Sequence, residues 1–271
     1  MVEVHRAGTA RIHDFFRGGT DNYEADRQAA RRIGELAPYT EQVIRGARRF
    51  VLHTVFTLAR YHRISQFLDL GCGLPDTGRH LHEIAQRARH DARFIYVDRD
   101  PMVLTHAGMM LETDSHTRVI RADLRDGAGA VLARAEQTEE TEESGESPLY
   151  RPGQPSAVLL CGTLDELGDE DAARLVDGIT ARVASGSYLV FYSLVSTSQK
   201  FRRAATALMN EVIPTGWGRV RTPEHIAGFF TGLKPTRPFG DVTTWYPPPP
   251  PSTATLPPTG WVAYGGIARR P

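Results

Sequence analysis

Short, largely apolar runs alternate with stretches of helical period along most of this chain. The first run, Phe67 and Leu68, ends at Asp69; others span Phe94 to Val97, Arg118 to Ala122, Ala157 to Cys161 and Ser187 to Val195. Runs of this length predict strands covered on both faces, as in a parallel sheet. Helical patterns lie between them. One follows the first strand, another begins at Asp100-Pro101 and runs to Leu111, with proline early in the helix where its missing N–H does no harm. A third runs from Asp169 to Val183. Strands alternating with helices predict an α/β fold. In the C-terminal third, Thr222 and Pro223 read as the N-cap and first turn of a helix carrying Ile226, Phe229 and Phe230 on one face. Lys234 to Phe239 and Trp261 to Ala268 read as a terminal hairpin, joined through the proline-rich residues 246–258, an extended spacer. The stretch 126–156, with acidic residues from Glu136 to Glu146, reads as an irregular surface loop.

The join between the first two strands carries the chemistry. Gly71 and Gly73 follow Asp69, and residues without a Cβ let backbone N–H groups come close to a ligand. Asp98 ends the second strand, 25 residues beyond Gly73, where a carboxylate can accept hydrogen bonds from ribose hydroxyls. Arg99 follows it. Asp123 and Leu124 close the third strand and suit an adenine amino group and ring face, and Cys161 ends the fourth. A dinucleotide site would have a third glycine, yet Asp76 stands there after Pro75 and disfavours a pyrophosphate. A sulfonium cofactor, cationic at sulfur and carrying an amino acid tail, suits Asp69 and the glycine turn better. S-adenosylmethionine is therefore expected, and NAD is not.

Composition narrows the setting. Lys plus Arg and Asp plus Glu both number 32 and 41% of residues are hydrophobic, so a sizeable core is expected and a general electrostatic grip on nucleic acid or membrane is not. Cys72 and Cys161 are 89 residues apart, which indicates neither a disulfide framework nor a zinc site; no metal is expected. With no membrane-length apolar stretch and no signal-peptide core, a cytoplasmic enzyme is expected.

Six blocks spread over nearly the whole chain resemble the actinobacterial S-adenosylmethionine-dependent methyltransferase family once catalogued as a domain of unknown function. They are RIHDFFRGGTDNYEADR at Arg11, FLDLGCGLP at Phe67, IYVDRDPMVL at Ile95, RADLRD at Arg121, RTPEHIAGFFTGL at Arg221 and YGGIARRP at Tyr264. The resemblance implies a Rossmann-like class I methyltransferase with a mostly parallel, seven-stranded sheet and helices on both faces. It also implies an N-terminal helical segment, residues 1–60, capping a domain of residues 61–271. Paired glycines interrupt a helical pattern ahead of Asp21-Asn22-Tyr23, so Asn22 or Tyr23 is expected to touch the methionine part of the cofactor.

The cofactor residues expected are thus Asn22, Tyr23, Asp69, Gly71, Gly73, Asp98, Arg99, Asp123, Leu124 and Cys161. Methyl transfer is an in-line displacement and needs a base only if the nucleophile is protonated. Asp165, Glu166 and Tyr192 stand near the ends of the fourth and fifth strands and are the candidates, while His13 and His225 read as ordinary polar positions. His80 and His82 do not share a helical face and are no metal pair. A small-molecule methyl acceptor is expected; the alternative is a protein that binds the cofactor for regulation without transferring the methyl. The sequence sets neither the acceptor nor an oligomeric state.

Overall fold

A computed structural model of the chain describes residues 4–76, 78–137, 148–213, 218–246 and 261–271. Three helices come first: α1 (Thr9–Arg17), α2 (Glu24–Leu36) and α3 (Thr40–Tyr61). The alternating region follows as β1 (Gln66–Leu70), α4 (Leu81–Ala88), β2 (Arg93–Asp98), α5 (Pro101–Leu111), β3 (Thr117–Arg121), α6 (Ala128–Glu136), β4 (Ala157–Cys161), α7 (Asp169–Arg182) and β5 (Tyr188–Val195). The chain continues through α8 (Gln199–Val212), α9 (Pro223–Gly228), β6 (Lys234–Pro235), β7 (Gly240–Asp241) and β8 (Val262–Arg269).

The strands form one sheet in the order β3-β2-β1-β4-β5-β8-β6, with β7 also paired to β8. β1 to β5 are parallel to their neighbours and β8 runs antiparallel to β5. Alternate residues serve two cores, as a period of two requires. Phe67, Phe94, Tyr96, Leu159 and Val190 face α3, α4, α5 and α8. Leu68, Ile95, Val97, Leu160 and Phe191 face α6, α7 and α9. Between β1 and β4 the strand order reverses, and in such sheets the crevice outside the carboxyl ends at that point is the usual ligand site.

The N-terminal helices make a third, smaller core from Ile12, Phe16, Ala29, Ala30, Ile33 and Ile44, completed by Met209 and Ile213 from α8 and its end. Buried Asp26 organises this segment: its Oδ1 accepts from the Gly8 N–H at 2.9 Å, and its Oδ2 accepts from the Tyr23 N–H and from Arg11 Nε, each at 2.8 Å. α1 stops at Gly18, whose φ of 84° is open to glycine at little cost.

Two expectations need correction. The sheet has eight strands instead of seven: of the stretch expected as one strand from Lys234 to Phe239, Lys234–Pro235 pairs as β6 and the rest does not, while Gly240–Asp241 just beyond it adds β7; Pro235 and Pro238 have no N–H to continue a ladder. The region read as an irregular loop contains α6, whose Ala128, Val131, Leu132 and Ala135 recur at helical spacing and are buried against α7 and the sheet. His80 lies ahead of α4 in extended backbone, off the helix that carries His82, and the two rings stack 5.7 Å between centroids. Most of the acidic run, 138–147, and the prolines within 247–258 lie outside the described residues. No described helix is long and apolar enough to cross a membrane.

The pairing of β5 with β8 supplies a stability test. A Cβ on Gly265 would collide with the Phe191 carbonyl oxygen and stand 2.7 Å from the Tyr192 Cα. Backbone cannot move aside as a side chain does, so Gly265→Ala should cost about 3 kcal/mol, the upper end for overpacking. A denaturant titration measures this, and an unchanged midpoint would contradict the close approach.

Candidate active site

The turn after β1 is shaped by its glycines and by Asp98. Gly71 and Gly73 have φ of 80° and 65°, conformations that side chains with a Cβ rarely adopt. The Gly71 N–H donates to the Val97 carbonyl at 2.8 Å, and the Gly73 N–H donates to Asp98 Oδ2 at 3.0 Å. Asp98 Oδ1 accepts from the N–H groups of Arg99 and Asp100, at 2.7 and 3.0 Å. From below, Thr163 fills the space beside Gly71, where a Cβ would come within 2.9 Å of it, and its hydroxyl donates to the Leu70 carbonyl at 2.7 Å. Further along, Asp123 Oδ1 accepts from the Arg125 N–H at 3.0 Å, while Oδ2 stands 3.5 Å from the guanidinium groups of Arg99 and Arg125.

Above the turn is a crevice of about 630 Å³, within the range of small-molecule sites. Of the cofactor residues expected, Asp69, Gly71, Gly73, Asp98, Arg99, Asp123, Leu124 and Cys161 all line it, and so do Glu166 and Tyr192. Its roof is the N-terminal segment, residues 6–11 with His13 and Arg17. Ala10 lies 4.0 Å from where a Gly73 Cβ would be.

Asn22, Tyr23 and Asp165 are not among the lining residues. The Asn22 amide donates to Asp14 Oδ2 at 2.8 Å and to the Gly19 carbonyl at 3.0 Å, so it fastens the turn between α1 and α2. Gly19 belongs to the same turn, since a Cβ there would collide with the Asp14 carboxylate. Tyr23 caps α2 and its ring lies under the Arg11 guanidinium, 5.7 Å away. Asp165 is buried beneath the site, where its Oδ2 accepts from the Leu194 N–H at 3.0 Å.

His13, taken from sequence as an ordinary polar position, lines the crevice instead. Thr9, His13 and Arg17 recur every four residues and share one face of α1. That four-residue spacing is the signal the sequence carries for His13. A Cβ on Gly162 would meet the Tyr192 hydroxyl at 3.5 Å and His13 Cε1 at 3.7 Å, so these two side chains converge over Gly162. His225 lies elsewhere, 3.6 Å from Asp169.

Burial sets the protonation states. It pushes Asp69 up to about 7, with Arg48 opposing and Asp98 adding to the shift. Glu166 is pushed up to about 7 by burial and then by Asp98, against Arg99. Burial followed by the charge of Arg17 lowers His13 to about 4, leaving a neutral imidazole at pH 7. The Tyr192 hydroxyl is shifted upward, chiefly by burial, and stays protonated. Asp98 is also raised by burial, which the three N–H groups partly offset.

These residues fit a sulfonium nucleoside. The glycine cradle admits a close backbone approach, Asp69 supplies a desolvated carboxyl at the floor, and Asp123 and Leu124 offer the polar and apolar contacts of a base. Asp76, in place of a third glycine, pairs with Arg17 at 2.8 Å and Arg48 at 2.5 Å, tying α1 and α3 to the turn instead of admitting a pyrophosphate. Among the described residues no cluster of His, Cys, Asp and Glu could hold a metal ion.

Residues 1–271 match the family described as S-adenosyl methyltransferase. Two crystal structures are similar from end to end. A Thermobifida fusca protein provisionally assigned as a methyltransferase is 33% identical with a TM-score of 0.85, the match covering 99% of this chain and 96% of that one. A DUF574 family protein from Streptomyces avermitilis is 28% identical with a TM-score of 0.84, covering 100% of both. No curated protein matches the chain.

The placement of Asp165 separates structure from chemistry. Asp165→Ala leaves the Leu194 N–H unpaired in the core, a loss of about 1–3 kcal/mol. Thermal melting should record that loss while cofactor affinity of the folded variant stays unchanged; a weakened affinity at intact stability would return Asp165 to the site.

Proposed function

We propose a small-molecule methyl acceptor for this chain, which belongs to the S-adenosyl methyltransferase family and uses S-adenosylmethionine for methyl transfer. The observation that carries the proposal is the roof. Residues 6–11, His13 and Arg17 cover the glycine turn, which leaves room for a small molecule and keeps a folded macromolecule out. A polar end at His13, Gly162 and Tyr192 extends the crevice past the turn, favouring an enzyme over a protein that only binds the cofactor.

When bound, the cofactor supplies an electrophilic methyl group on a sulfonium. In this reading the backbone at Gly71 and Gly73 cradles it, and Asp69 faces its cationic part. Asp98 keeps lone-pair capacity for ribose hydroxyls beyond its three backbone partners, Arg99 holds Asp123 in place, and Asp123 and Leu124 flank the base, with Cys161 beside the floor. Asn22 and Tyr23 act at one remove, by fixing the turn and helix that carry the roof. At the acceptor end the neutral imidazole of His13 accepts a hydrogen bond from a hydroxyl or amine, and the Tyr192 hydroxyl orients it. Glu166 lies nearer Asp98 and Arg99, so its proposed part is electrostatic. Residues 1–60 thus cap residues 61–271. The free thiols of Cys72 and Cys161 fit a reducing compartment, and we place the protein in the cytoplasm.

Calorimetric titration should give micromolar binding of S-adenosylmethionine, about −8 kcal/mol, with NAD much weaker; tighter NAD would refute the cofactor fit. Asp98→Ala should weaken S-adenosylmethionine by about 1.5–3 kcal/mol, and equal affinity in a folded variant would leave Asp98 only its backbone partners.

The pH dependence follows from Asp69. A cationic ligand prefers the ionised carboxylate, and in the free protein ionisation occurs only as pH rises through about 7. Affinity should therefore climb by up to about tenfold from pH 6 to pH 8 and then level off. Asp69→Asn should flatten the profile; one that falls with rising pH would reverse the assignment.

A further inference from the structure

A second hollow of about 350 Å³ adjoins the crevice, lined by Arg17, Arg45, Arg48 and Arg49 together with Asp14 and Asp76. Arg17 and Arg48 line both spaces, so the two meet at these side chains. Arg45 and Arg49 stand four residues apart on α3 with Arg48 beside them, a spacing at which like charges repel. The balancing charge is short. Asp76 is shared by Arg17 and Arg48, and Arg45 reaches outward to Glu41 at 3.0 Å. Asp14 is occupied by Asn22 and its carboxyl is raised by burial, so it is a reluctant anion. Arg49 has no ion-pair partner among the described residues, and the buried Arg17 Nε has no hydrogen-bond partner among them. Four arginines lining one hollow with two carboxyls suit an oxyanion, which planar N–H pairs grip at two oxygens.

We propose that this hollow is an anion-binding subsite that holds a carboxylate or phosphate group of the methyl acceptor. The inference rests on the methyltransferase reading and narrows it to acidic small molecules: the anionic group lies in the hollow, past Arg17 and Arg48, while the methyl-receiving atom reaches the crevice. Arg49 supplies the charge that Asp76 does not neutralise.

Inorganic phosphate tests the subsite on the full chain saturated with S-adenosylhomocysteine, at constant ionic strength with chloride as the control. Phosphate should raise the melting temperature saturably, and Arg49→Gln should weaken its apparent affinity by about tenfold, with Arg49→Lys recovering part of it. S-adenosylhomocysteine affinity should stay unchanged in both variants, because Arg49 does not line the crevice. Phosphate acting no differently from chloride, or equally on Arg49→Gln, would overturn the subsite. To distinguish a carboxylate from a phosphate, and either from no anion, labelled methyl transfer is measured on acceptors paired as acid and neutral amide or ester. The acids should react at lower KM, and Arg49→Gln should raise KM for the acids alone; transfer to neutral members as readily as to acids overturns the assignment. Where no pair accepts a methyl, the phosphate titration decides. Failure of S-adenosylhomocysteine to bind at the outset would strike the methyltransferase reading instead.

Discussion

Three backbone N–H groups converge on the carboxylate of Asp98, from Gly73, Arg99 and Asp100. This convergence joins the turn leaving β1 to the end of β2 and the start of α5. Each partner alone is weak: a left-handed glycine turn is entropically costly, and a carboxylate at a strand end is disfavoured by burial. Together they are mutually required, since the N–H groups offset the desolvation of the carboxylate and the carboxylate fixes where Gly73 presents its backbone. The consequence is a turn already set in the free protein, beside a crevice that Asp69 and Asp123 also line.

The roof is assembled by the same device used three more times. Asp26 gathers Gly8, Arg11 and Tyr23; Asp14 receives Asn22; Asp76 receives Arg17 and Arg48. Apolar packing alone holds helices together without strongly fixing where a connecting segment lies. Carboxylates with several directional donors do fix it, and breaking one leaves a buried charge uncompensated, which is costly. Hence residues 6–8, with little regular structure ahead of α1, and the first residues of α1 have a defined course over the crevice.

Much of this was legible in the sequence because the sheet is buried on both faces. The runs ending at Asp69, Val97 and Cys161 needed no partner information to be read as strands, and the glycines and Asp98 mark the switch point by chemistry that few other folds require. What stayed hidden depends on neighbours distant in sequence. Asn22 and Tyr23 have side chains able to meet a ligand, yet Asp14 and Arg11 claim them first. Asp165 next to Glu166 looks equally available, but a 3₁₀ turn at Thr163–Glu166 sends the former inward to Leu194 and the latter into the crevice. Helix α6 was masked by the glycines and glutamates around it, although its apolar spacing was present. The third glycine's replacement by Asp76 was read as excluding a pyrophosphate; its ion pairs with two helices of the roof required the fold to be seen.

Met209 and Ile213 close the small core beneath α1 and α2, and Arg32 of α2 pairs with Glu211 of α8 at 2.9 Å. Helices α1 and α2 therefore precede by most of the described chain the residues that complete their packing. During synthesis the sheet from β1 to β5 can begin to pair while the N-terminal helices still lack a floor, because contacts of such sequence separation form late. The helices over the crevice are thus among the last parts to settle, and the order of synthesis leaves the crevice uncovered until α8 has been made.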